Sequence, residues 1–134
     1  MENYRKKIIS ELKKILEKEK GIVFAYLFGS ISNNTYNSKS DIDVALFLEE
    51  DGDYFEKKLQ IMEAIERKFK KSADVVILNN AKSSFLKYVI IKEGTVVLER
   101  KRDCRTNFEF KTMQEYFDYA PISKMYNDAL LSKI

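Results

Sequence analysis

Apolar positions along this chain recur with two periods. Across residues 2 to 20, Tyr4, Ile8, Leu12 and Leu16 return every fourth position, Ile15 widens the stripe, and Lys and Glu fill the other faces. That spacing predicts an amphipathic helix. Lys18 and Lys20 would sit in its last turn, where the helix dipole favours cations, and Gly21 would supply the cap. "IVFAYLF", residues 22–28, is an unbroken apolar run rich in β-formers, the pattern of a strand covered on both faces. "DIDVALFL", residues 41–48, reads as a second strand. Asp53 and Glu56 then have capping-box spacing, with Asp in place of Ser or Thr, and open a helix to about residue 70 with Phe55, Leu59, Met62, Ile65 and Phe69 in one stripe. "ADVVIL", residues 73–78, is a third strand. Ser83 or Ser84 caps a short helix with Phe85, Leu86, Val89 and Ile90 inward, and Gly94 ends it. "TVVLE", residues 95–99, is the fourth strand. Residues 104–132 are aromatic-rich and read as helical, interrupted near Pro121. This order predicts an α/β (α+β) fold, a small mixed sheet of about four strands with helices packed on it.

Composition narrows the chemistry. A chain of 134 residues amounts to one domain with a real core. The net charge of +3 permits contact with a polyanion without demanding it. The basic run "ERKRDCR", residues 99–105, lacks interleaved aromatics and reads as a solvated connection, so no direct nucleic-acid contact is expected. Cys104 is the single cysteine, which excludes an internal disulfide and a cysteine-cluster metal site. With no long apolar run and no signal-peptide core, a cytoplasmic protein without membrane attachment is expected. Histidine is absent. That removes imidazole bases, the Ser–His and Cys–His dyads and the usual zinc sites. Any chemistry must run on carboxylates, hydroxyls, lysines or an oxygen-loving metal.

The second strand carries the candidates. On a strand Asp41 and Asp43 share a face at roughly 6.6–7 Å between Cα atoms, while Ile42, Val44, Leu46 and Leu48 point the other way and fix the register by burial. Two like charges at that distance repel by about 2–2.5 kcal/mol at an effective dielectric near 20. A divalent cation, Mg²⁺ or Mn²⁺ in an oxygen-rich site, would reverse the sign. Asp74 opens the third strand where Asp is disfavoured. If that strand lies beside the second, three carboxylates converge at one sheet end, the inventory for a pair of metals in phosphoryl or nucleotidyl transfer. Gly29-Ser30 follows the first strand. If a short helix begins there, its free N–H groups and the Ser30 hydroxyl form an anion site. Taken singly, a D-x-D pair, a strand-opening Asp and a Gly-Ser turn each have an ordinary surface explanation. Their order and spacing do not.

Gly29-Ser30, ten residues, then Asp41-Ile42-Asp43 resembles the G-S-x10-D-x-D motif of the DNA polymerase β-like nucleotidyltransferase superfamily. "AYLFGS", Ser40 before the first Asp and the acid of "ADVVIL" fit the same pattern, and the small size is similar to the minimal nucleotidyltransferase (MNT) antitoxin branch, whose members pair with HEPN ribonuclease toxins. The resemblance covers residues 1–100 as a minimal nucleotidyltransferase domain and leaves 101–134 as a C-terminal helical extension, packed on that domain or on a partner. It implies a polymerase β-like fold, with Asp41, Asp43 and Asp74 as catalytic metal ligands for Mg²⁺. Gly29 and Ser30 would hold the phosphates of ATP, with Ser40 and Lys39 as further nucleotide contacts, although a loop lysine is ordinarily solvated. In the branch, AMP passes from ATP to a tyrosine of the HEPN toxin. Two alternatives stay open: a binding antitoxin that needs no catalysis, and a nucleotidyltransferase for a small molecule. Part of residues 104–132 either closes the core or docks the partner.

Overall fold

The computed structural model describes residues 2–32, 41–50 and 52–119. Its framework is a four-stranded sheet in the order β3-β2-β1-β4, built from β1 (Ile22–Phe28), β2 (Ile42–Leu48), β3 (Ala73–Ile77) and β4 (Thr95–Glu99). β1 runs antiparallel to both β2 and β4, and β2 runs parallel to β3. The expected mixed sheet with packed helices is what forms.

Helices cover both faces, which is why β1 is buried from Ile22 to Leu27. On one face α1 (Glu2–Glu17) and α3 (Tyr54–Phe69) pack Ile8, Leu12, Leu16, Ile61 and Ile65 against Leu27, Val44, Leu46 and Val75. On the other, Val23, Phe24, Tyr26 and Ala45 meet Leu78 and Ile90, with Phe108 packed against them. Those last residues come from a 3₁₀ turn (Leu78–Asn80), α4 (Ser84–Glu93) and α5 (Arg102–Tyr119). A one-turn helix, α2 (Gly29–Ser32), follows β1 directly. No helix among the described residues is long and apolar enough to cross a membrane.

The caps follow the sequence. Asp53 accepts the Glu56 N–H at 3.1 Å, Ser83 accepts the Leu86 N–H at 3.1 Å, and the Gly94 N–H closes α4 onto the Ile90 carbonyl at 2.8 Å. Other expectations need correction. α1 ends at Glu17, so Lys18 and Lys20 lie beyond it. The reversal that follows turns at Gly21, with φ 88°, and the Arg100 guanidinium donates to the carbonyls of Glu17, Glu19 and Ile22 at 2.8, 2.9 and 3.1 Å, tying it to the end of β4. In α3 the buried stripe runs through Ile61 and Ile65, with Tyr54, Met62 and Phe69 beside it, whereas Phe55 and Leu59 are exposed. Phe85 is exposed too, and Leu78 leaves β3 for the 3₁₀ turn.

α5 belongs to this body. Phe108 packs against the rings of Phe24 and Phe47, with centroids at 5.6 and 5.5 Å. Tyr26, whose hydroxyl is raised well above its ordinary pKa by burial and then by Glu109, donates to the Glu109 carboxylate. Arg105 bridges Glu99 and Glu109. The end of the 99–105 basic run is thus a structural tie, and Pro121 lies outside the described residues.

Candidate active site

Strand register assembles the site. Phe28 at the end of β1 pairs with Asp43, and Asp43 pairs with Asp74 across the parallel β2–β3 ladder. Residues opposite one another in register share a face on strands about 4.8 Å apart, so Asp43 and Asp74 lie side by side. Asp41 precedes β2, where the Ile42 N–H still bonds to the Ser72 carbonyl at 2.9 Å. The strand therefore begins at Ile42, one residue later than expected, and leaves Asp41 just outside it. Ile42, Val44 and Leu46 on the opposite face are fully buried and lock this register. Along the acidic face, Ala45 and Phe47 continue from Asp43 into the apolar cluster under α4 and α5. One face of β2 thus passes from acid to apolar within five residues.

Electrostatics single out the middle acid. Asp41 and Asp74 are exposed and Asp43 is partly buried. Burial first, then the charges of Asp74 and Asp41, push the Asp43 carboxyl up to about 6. A proton or a cation relieves it. Gly29 stands against the same group. It has φ 75°, which favours glycine, and a Cβ there would collide with the Asp43 carboxylate oxygen. The turn therefore needs glycine for its backbone and for its neighbour alike. Ile31, 1% exposed, anchors α2 in the core. Sequence reasoning missed that anchor, although an isolated apolar residue between two serines was its signal.

The structure thus brings Gly29, Asp41, Asp43 and Asp74 to one sheet end. Ser30 lies in α2, its side chain outside the described set, and Lys39 and Ser40 fall outside the described residues. Among the described residues no three His, Cys, Asp or Glu side chains already form a metal cage. The acids instead line a rim, and their all-oxygen donor set with one repelled member is what a hard divalent cation fits. A cavity of about 740 Å³, lined by Phe47, Leu78, Lys87, Phe108, Lys111 and Glu115 among others, lies at the far end of the face and includes none of the three acids.

The fold and this rim define a class. Residues 10–103 match the family described as polymerase beta, nucleotidyltransferase, and the chain belongs to that family. The match takes in all three acids and the Gly29-Ser30 turn and stops at the start of α5. Among solved structures, a chain from a toxin–antitoxin crystal structure with AMP-PNP shares 22% identity at a TM-score of 0.73, covering 92% of this chain and 98% of that one. A chain from the complex of tri-AMPylated Shewanella oneidensis HEPN toxin with an MNT antitoxin gives 20% identity and a TM-score of 0.69, covering 95% and 98%. One from the toxin–antitoxin MntA-HepT gives 19% and 0.68, covering 94% and 98%. At these identities the likeness shows a shared fold. No curated protein matches the sequence.

Proposed function

We propose that this protein is an antitoxin-type nucleotidyltransferase that moves AMP from ATP to a tyrosine hydroxyl of a HEPN ribonuclease toxin and so silences it. The observation that carries the reading is the register that sets Asp43 beside Asp74, with Gly29 against Asp43, inside the span of a nucleotidyltransferase family. Family membership supports nucleotidyl transfer as the reaction class. The AMP-PNP complex and the AMPylated toxin complex, whose chains share this fold over nearly all of their length, support AMP as the group and a HEPN protein as acceptor.

Asp41, Asp43 and Asp74 would hold Mg²⁺, which when bound offsets the negative charge of the triphosphate and of the phosphoryl group in transfer. The chain's own residues do the rest. Gly29 lets the backbone approach the phosphates, and the Ser30 hydroxyl donates to a phosphate oxygen. Lys39 and Ser40 are the further candidates for that contact. Asp74, exposed on the edge strand, stands on the acceptor side and takes the proton of the tyrosine hydroxyl. The phenolic oxygen bonds to the α-phosphorus as the bond to pyrophosphate breaks, so pyrophosphate leaves and AMP stays on the acceptor. Calorimetric titration with Mg-ATP tests this division of labour. Asp43→Asn should lose nucleotide binding, whereas Asp74→Asn should bind normally and fail to transfer. Equal loss of binding in both variants would contradict it.

A further inference from the structure

β3 is an edge strand. Its first inward bond goes through Ser72, whose carbonyl accepts the Ile42 N–H at 2.9 Å. In a parallel ladder the next residue's amide turns away from the neighbouring strand, so the Ala73 N–H faces the open edge. There the Glu66 carboxylate of α3 accepts it at 3.1 Å. The backbone carbonyl of Glu66 also accepts the Lys70 N–H at 2.8 Å, where the chain leaves the helix at φ 53°. One residue in the last turn of α3 therefore bonds both ends of the 70–73 reversal. The residue that follows is Asp74.

We infer that Glu66 is a positioning residue for Asp74: its carboxylate fixes the Ala73 amide and with it the backbone from which the third acid projects. The inference rests on the reading of Asp74 as the acceptor-side acid. A bond to an edge amide has a purely structural alternative, protection of the sheet edge, and the two roles differ in what they move. Edge protection changes stability alone. Positioning changes turnover without changing nucleotide affinity, because the triphosphate is held elsewhere.

The test compares Glu66→Ala, Glu66→Gln and Asp74→Asn, each with its melting temperature measured so that rates are taken on folded protein. In the metal-free protein, Glu66→Ala should speed amide exchange at residues 73 and 74 by about 10-fold. In transfer to the acceptor it should lower kcat by about 10-fold while KM for Mg-ATP stays within about 2-fold, the scale expected when a supporting hydrogen bond is removed from a reacting group. Glu66→Gln keeps a carbonyl acceptor and should restore most of both. Faster exchange with unchanged kcat would make Glu66 an edge-protecting residue and overturn the inference. So would a fall in kcat that Glu66→Gln does not restore. If Asp74→Asn itself transfers normally, the reading of Asp74 fails and the inference falls with it. An inactive Asp74→Asn beside a fully active Glu66→Ala defeats the inference alone.

Discussion

Asp43 sits between two other carboxylates, and its titration has consequences for stability and activity. An aspartate titrates near 3.8 when unperturbed and at about 6 in this fold. Its folded pKa is raised, so the stability that protonation contributes is fully present below pH 4 and is lost as pH rises to about 6. Allowing for solvent screening of a partly exposed group, the loss is about 1–2 kcal/mol. Asp43→Asn should remove it, so that the metal-free variant is more stable than the parent above pH 6 and the two converge near pH 4. Urea unfolding at both pH values checks the difference, and an Asp43→Asn protein less stable than its parent at pH 7.5 would contradict the repulsion. Protons and a cation compete for this carboxylate, so transfer at limiting Mg²⁺ should decline as pH falls through 6, and added Mg²⁺ should move the decline to lower pH. Gly29→Ala makes a second demand at this scale. The positive φ costs an L-residue about 1–2 kcal/mol, and the new Cβ displaces the Asp43 carboxylate. Transfer should fall by about 100-fold while the protein stays folded, as kinetics beside circular dichroism would show.

Among the elements, those whose partners lie nearby in sequence were legible, and those shaped by distant partners were not. The caps at Asp53 and Ser83 bond residues three positions on, and the alternation of β2 needs only its own side chains, so both could be read from spacing. The end of α1 is tied to Arg100, some eighty positions away, whereas the local signal, Gly21 at φ 88°, marks only the reversal that follows it. The stripe of α3 was misjudged because Phe55 and Leu59 share helical spacing with Met62; only the sheet beneath decides that Ile61 is inside and they are outside. α5 has aromatics on several faces for a similar reason. Phe108 and Thr112 turn inward, while Phe110, Met113 and Phe117 remain exposed. Two predictions belong here. Arg100→Ala should cost about 1–3 kcal/mol, as expected for hydrogen bonds to a charged donor, and should leave transfer unchanged below the melting temperature. Truncation after Glu99 should unfold or aggregate the protein, since it uncovers Phe24, Tyr26 and Phe47. A soluble, cooperatively melting product from the shorter chain would restore the view of α5 as a detachable docking arm.

At the scale of the whole molecule, the sheet acts as a ruler that brings distant segments of the chain to one end. Burial of Ile42, Val44 and Leu46 sets the register. Register sets Asp43 beside Asp74, and the antiparallel return of β1 delivers Gly29 to the same place. The carboxylates and the Gly-Ser turn were legible because they obey strand periodicity and fixed spacing. The nucleotide and the acceptor were not legible from residues alone, since no base-reading side chain and no acceptor-binding motif is marked by spacing. Incubation of the protein with ATP, Mg²⁺ and a candidate HEPN-domain acceptor, followed by intact mass of that acceptor, therefore tests the central claim most directly. A partner heavier by one or more AMP groups with the parent protein, and unmodified with Asp41→Asn or Asp43→Asn, is the predicted result. A partner that is bound and silenced yet unchanged in mass, or modified equally by the variants, would contradict it.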